Sequence, residues 1–173
     1  MQKIHDFEIT IEEYARKGKE NEFPQISKCE SCEDTVIKHG FYQRFVIKGN
    51  TNYVIFIQRY RCKHCNSTVS ILPIFLLPHF QRSLEDIVKS IKEYLLKKKY
   101  SLLKRQVHFY CQRFKKNISG MISFFRELVN IDLSFGNSKN EKATKLIEMI
   151  KGSPVPTFSQ RYFNHFNISF MAI

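Results

Sequence analysis

Two kinds of hydrophobic spacing divide this chain. In its first half, Gly40–Lys48 and Tyr53–Arg61 are rich in β-branched and aromatic residues, and Gly49-Asn50-Thr51-Asn52 supplies turn residues between them. The pattern predicts a β-hairpin, with a third short strand at Thr68–Leu72. After Pro78 the period changes from 2 to 3.6. Ser83 can cap a helix with Asp86 three residues on, and Leu84, Ile87, Val88, Ile91, Tyr94 and Leu95 form its apolar face. Lys97-Lys98-Lys99-Tyr100-Ser101 interrupts the pattern, with Ser101 as cap of a second helix whose inner stripe is Leu103, Val107, Tyr110, Cys111 and Phe114.

A third helix is expected from Ile118 to Val129, with Ile122, Phe125 and Val129 as packing positions. Asp132–Asn140 reads as a loop, Glu141–Ile150 as a helix, and Gly152-Ser-Pro-Val-Pro156 as its stop. The remaining tail, Phe158–Ile173, has five aromatic residues and no acidic one, and is expected to pack on the helices. The fold class is therefore α+β: a small three-stranded antiparallel sheet followed by a helical bundle. The expected divisions are an N-terminal extension at 1–28, the sheet at 29–80, a helical domain at 81–130, and a C-terminal helix and tail at 131–173.

Four of the five cysteines give the sheet a chemistry. Cys29-Glu-Ser-Cys32 and Cys62-Lys-His-Cys65 are two C-x-x-C knuckles flanking the hairpin. A two-residue gap lets both thiolates converge on one ion while the backbone turns its N–H groups toward the sulfurs. The hairpin brings the knuckles together, which makes a four-cysteine zinc ribbon holding one structural Zn2+. All four positions are thiolates, so no site is left open for a metal-bound water. Asn66, just after the second knuckle, tolerates a left-handed backbone; Glu33, after the first, is less suited to it. His39 and His64 read as surface or outer histidines, and Cys111 as a small buried hydrophobe. No apolar stretch resembles a signal peptide or a membrane span, so the expected location is cytoplasmic and nucleoid-associated, where thiols stay reduced.

The charge sharpens the helical half. The 173 residues carry 28 Lys and Arg against 16 Asp and Glu, a net +12. Residues 81–130 hold twelve basic and four acidic side chains, so most of the excess sits there. A concentrated basic segment is the footprint of a polyanion. Helix, polar connection and second helix fit a helix-turn-helix reader of DNA, with RNA as the other polyanion this charge suits. Lys97, Lys98, Lys99, Lys115 and Lys116 would hold phosphates. Lys104 lies beside Arg105, and Arg105, His108 and Gln112 are suited to base edges.

Together these motifs resemble a family of bacterial zinc-ribbon proteins associated with transposases. The likeness rests on Ile11–Gly18, His39–Arg44, Arg59–Cys65 running into Thr68–Pro73, Phe109–Phe114 and Phe163–Asn167. The chain also resembles the N-terminal zinc-ribbon and helix-turn-helix part of insertion-sequence transposases. The resemblance implies recognition of DNA ends, with Cys29, Cys32, Cys62 and Cys65 as the metal ligands.

No catalytic constellation accompanies it. The acidic residues after the knuckles lie mostly on polar helix faces, without strands to hold a carboxylate triad for two metals. No two histidines stand two apart, and the tyrosines lack a surrounding set of Arg and His. The expected function is a non-enzymatic, zinc-stapled DNA-binding protein of a mobile element. Possible partners include a transposase or a second copy, engaged through the helical and C-terminal segments. The alternatives are a transposase fragment or subunit lacking its catalytic domain, and an adaptor using the aromatic tail.

Overall fold

Thr10 opens the first helix with a capping box: its hydroxyl accepts from the Glu13 N–H, and the Glu13 carboxylate accepts from the Thr10 N–H. That helix, α1 (Ile11–Lys17), follows a short strand, β1 (Gln2–His5), and ends in a 3-10 turn, Gly18–Glu20. Then come β2 (Val36–Lys48), β3 (Thr51–Cys62) and β4 (Thr68–Pro73), followed by α2 (Leu84–Leu95), α3 (Lys104–Lys116), α4 (Ile118–Val129), α5 (Lys139–Gly152) and α6 (Val155–Phe166). This computed structural model describes residues 1–98, 102–129, 135–152 and 154–172. The class is α+β, and the chain divides into two compact units, Met1–Ser83 and Leu84–Ile173.

The first unit differs from the expected three-stranded sheet. It has four strands in the order β1-β4-β3-β2, and β1 pairs parallel to β4, from Gln2 opposite Ser70 to His5 opposite Pro73. The segment expected to be an extension thus completes the sheet and supplies α1. Four residues carry too little pattern for a strand to be read from them. Gly49-Asn50 alone forms the hairpin turn, since Lys48 already pairs with Thr51. Gly49 has φ 58°, as the first central position of a type II′ turn requires.

The β2–β3 register slips by one residue between Lys38 and Phe41. Gly40 takes φ 97° there, and the buried Gln58 amide donates to the Gly40 carbonyl at 3.0 Å. Across this bulge the buried positions of β3 change parity, from Ile55 and Ile57 to Gln58, Tyr60 and Cys62. One cluster, with Ile11, Tyr14, Val46, Ile55, Ile57 and Leu72, seats α1, and the Tyr14 hydroxyl donates to the Phe56 carbonyl at 2.9 Å. The other gathers Val36, Tyr60, Val69 and Ile71 around Cys29 and Cys62. The bulge is what turns a buried face toward the knuckles.

In the second unit, α2 packs against α3, α5 and α6, and α4 against α3 and α5. Leu84, Ile87, Val88 and Ile91 are buried as expected, while Tyr94 and Leu95 are half-buried. Phe125 is buried and Ile122 half-buried; the Val129 side chain lies outside the description. The expected tail is largely helix: Pro154 precedes α6, and Phe158, Tyr162 and Phe170 are buried. Pro156, expected only to stop the preceding helix, sits in the first turn of the next, where a missing N–H costs nothing. Among the described residues no helix is long and apolar enough to cross a membrane.

Candidate metal centre and basic helix

Each cysteine knuckle closes in the same way. The Cys29 N–H donates to the Asp34 carbonyl and the Cys62 N–H to the Ser67 carbonyl, both at 2.9 Å. In each, the residue after the second cysteine is left-handed: Glu33 at φ 59° and Asn66 at φ 60°. Glu33 takes the conformation that suits it poorly, at about 1–2 kcal/mol, because the loop must turn there. The two knuckles are joined by pairing of Val36 with Cys62 and by the Lys63 N–H donating to the Thr35 carbonyl at 3.1 Å.

The four sulfurs meet. Cys29, Cys32, Cys62 and Cys65 place their Sγ atoms within 4.8 Å of one another. Cys29 and Cys65 are 3.6 Å apart, and Cys32 and Cys62 are 3.4 Å apart. A tetrahedral ion with metal–sulfur bonds of about 2.3 Å needs sulfur separations of about 3.8 Å, so the arrangement fits one ion. Cys29 and Cys62 are buried, Cys32 is half-buried and Cys65 is exposed.

The protein's own dipoles prepare part of the charge. The Ser67 hydroxyl, then the amides of Ser31 and Cys32, draw the Cys29 thiol down to about 6. Ser67 also lowers Cys65, through its hydroxyl and its amide. For Cys32 the Asp34 amide lowers the value, but the Cys62 thiol and desolvation outweigh it, and the group is pushed up to about 12. Four crowded sulfurs cannot all ionise unaided; a bound cation would supply the compensating charge and release the remaining protons. His64 stands outside the cluster, highly exposed and 3.9 Å from the Asp34 carboxylate.

Ser67 is the site residue that sequence reading missed. Its hydroxyl lies 3.3 Å from Cys29 Sγ and 3.0 Å from Cys65 Sγ. A signal existed: it is two residues beyond Cys65, as Asp34 is two beyond Cys32, and both positions offer their amide to the sulfur.

The basic candidates belong to the second unit. Lys104, Arg105, His108, Gln112 and Lys116 are exposed along α3, and Phe109 joins them on that side. Gln112 Nε2 and His108 Nε2 are 2.8 Å apart, a hydrogen bond one turn along the helix. The Arg113 guanidinium lies 4.6 Å from the Phe109 ring centre. Val107, Tyr110, Cys111 and Phe114 are buried, as the spacing predicts.

Two positions depart from the expected stripes. Leu103, read as inward, is 72% exposed and precedes the helix as its N-cap residue. A residue before the first turn does not share the helical face below it. Lys115, read as outward, is half-buried with Nζ 5.9 Å from the Tyr94 ring centre. Lys97 and Lys98 are exposed after α2, and Lys97 takes a left-handed φ of 54°. Lys99 and the proposed cap Ser101 lie outside the described residues, as do residues 132–134 of the expected Asp132–Asn140 loop, whose last two residues, Lys139 and Asn140, already belong to α5.

No curated protein and no solved structure matches this chain. A family profile does: residues 29–106 match a domain of unknown function, DUF6431, over a span that runs from the first knuckle cysteine through the hairpin and α2 into the start of α3.

Proposed function

We propose that this protein is a DNA-binding module, non-enzymatic and stapled by one structural zinc, that serves a transposable element. Zinc is the ion that best suits four thiolates of tetrahedral spacing with no open position. The four cysteines would make the first unit a zinc ribbon with a parallel strand added at its edge. DNA is engaged by α3 within a helix-turn-helix arrangement of α2 and α3.

The observation that carries the reading is the exposed side of α3. Its sequence, Lys104–Lys116, has five Lys and Arg and no carboxylate. Arg105, His108 and Gln112 recur at the spacing of one helical face, and all three are exposed. Such a face suits base edges, with Lys104 and Lys116 on phosphates. The adaptor reading draws no support from the tail, because Phe158, Tyr162 and Phe170 are buried in the bundle. The link to a mobile element rests on the sequence resemblance, and inverted repeats flanking the gene would support it.

Filter binding with duplex DNA tests the reading. Affinity should fall steeply with salt, and Lys104→Ala with Arg105→Ala should weaken binding about tenfold or more and flatten the salt slope. Equal affinity of variant and parent at every salt concentration would overturn it.

A further inference from the structure

The hairpin of the first unit has an outer face that the α3 reading leaves unused. Beyond the bulge, β2 and β3 extend past β4, which pairs with β3 only at Arg59–Arg61. On one side of this arm, Tyr42, Ile57, Ile55 and Val46 pack toward α1. The opposite side is formed by the cross-strand pairs Phe41–Gln58, Gln43–Phe56 and Phe45–Val54. Phe45 is 57% exposed, Val54 42% and Phe41 37%. Apolar side chains at this exposure on adjacent strands make a contiguous patch rather than isolated residues.

The patch has polar company of a particular kind. Gln43 and Asn52 are exposed beside it, and Lys19 Nζ sits 5.3 Å from the Phe56 ring centre and 6.0 Å from that of Phe41. Phe23 braces the Phe41 ring edge-to-face at 5.4 Å. Phe41 and Phe45 are four residues apart on one strand, about 13 Å, so each can take a separate base. The hairpin itself is basic, whereas the segment that braces it carries Glu20 and Glu22 beside Lys19, and Glu12 pairs with Lys48. Residues 35–83 contain seven Lys and Arg and not one Asp or Glu.

From these features we infer that the β2–β3 face binds single-stranded nucleic acid, stacking unpaired bases on Phe45 and Phe41, with Lys19 beside Phe41 for the phosphate backbone. Exposed rings, amide side chains, a neighbouring lysine and a hairpin free of carboxylates are what a flexible polyanion with flat bases needs. A second copy of this chain is the less suitable occupant, because it would set two carboxylate-free hairpins against each other. The inference does not rest on α3, which belongs to the other unit.

The test uses the full chain and homothymidine or homouridine oligomers of about a dozen nucleotides. Phe45→Ala should weaken binding by about fivefold to a hundredfold while leaving duplex affinity unchanged. The chain has no tryptophan, so Phe45→Trp makes a unique reporter; it should retain affinity, and its emission should be quenched by the oligomer. Binding of one oligomer over the other would assign the sugar preference within the same proposal. Equal affinity of Phe45→Ala and parent, or unchanged Phe45→Trp emission at saturation, would overturn it. So would a dimer in sedimentation that Phe45→Ala dissociates. Lys104→Ala with Arg105→Ala reads on duplex binding, so the two proposals fail separately.

Discussion

Glu12 shows how much a single surface carboxylate can do when its neighbours converge. It accepts from Lys48 Nζ at 3.0 Å and from the Tyr53 hydroxyl at 3.1 Å, tying α1 to the hairpin. Its own backbone N–H, then Lys48 and Tyr53, hold its carboxyl down at about 2. A carboxylate depressed in the folded state contributes stability above its ordinary pKa of 4.5 and loses it as pH falls toward 2. Glu12→Gln should therefore lower the melting temperature at neutral pH, and the gap from the parent should close in acid; thermal melts across that range measure it. None of this was legible beforehand, because residues 12, 48 and 53 are distant in sequence. By contrast, the left-handed residues were readable at the knuckles. Asn66 follows from local chemistry, whereas Glu33 adopts the same φ because the turn of the cysteine knuckle overrides its preference.

At the scale of elements, the strands and helices largely follow their hydrophobic spacing, but their contacts do not. Gly120 in α4 has no turn to serve. A Cβ there would lie 2.5 Å from the Tyr162 hydroxyl oxygen of α6. Tyr162 is 3% exposed and held among Phe124, Phe158, Phe166 and Phe170, so its ring has little room to retreat. Gly120→Ala should destabilise the fold by about 1–2 kcal/mol despite the better helix propensity of alanine. Tyr162→Phe in the same chain should recover part of the loss, and urea melts of the double-mutant cycle would show the coupling. The bulge at Gly40 is a similar case. Its glycine could be seen in the sequence, but its partner, the buried Gln58 amide, could not.

On the scale of the whole molecule, the cysteine cluster lies within the first unit, whose two buried clusters meet around the bulge. Purified protein should carry one equivalent of zinc. Removing it with a strong chelator should abolish amide protection across β2, β3 and β4 while α2 to α6 keep theirs, as hydrogen exchange would record. Full protection of the sheet in metal-free protein, or in Cys62→Ser, would refute a structural role for the ion. The match to DUF6431 crosses from one unit into the other, ending within α3. Knuckles, hairpin and α2 thus fall within one matched span, with only the first turn of α3.

Sequence alone determined what depends on neighbours along the chain. It showed the four thiolate positions, the hairpin between them, α2 to α5 and the cation-rich stretch, because ligand spacing, alternation and helical period are local properties. Tertiary structure decided what depends on distant residues. It placed β1 against β4, set the Ser67 hydroxyl between Cys29 and Cys65, left Leu103 and Phe45 in solvent, and buried much of Lys115. Those outcomes follow from which faces are already covered when the chain closes, and no window of sequence contains both sides of such a contact.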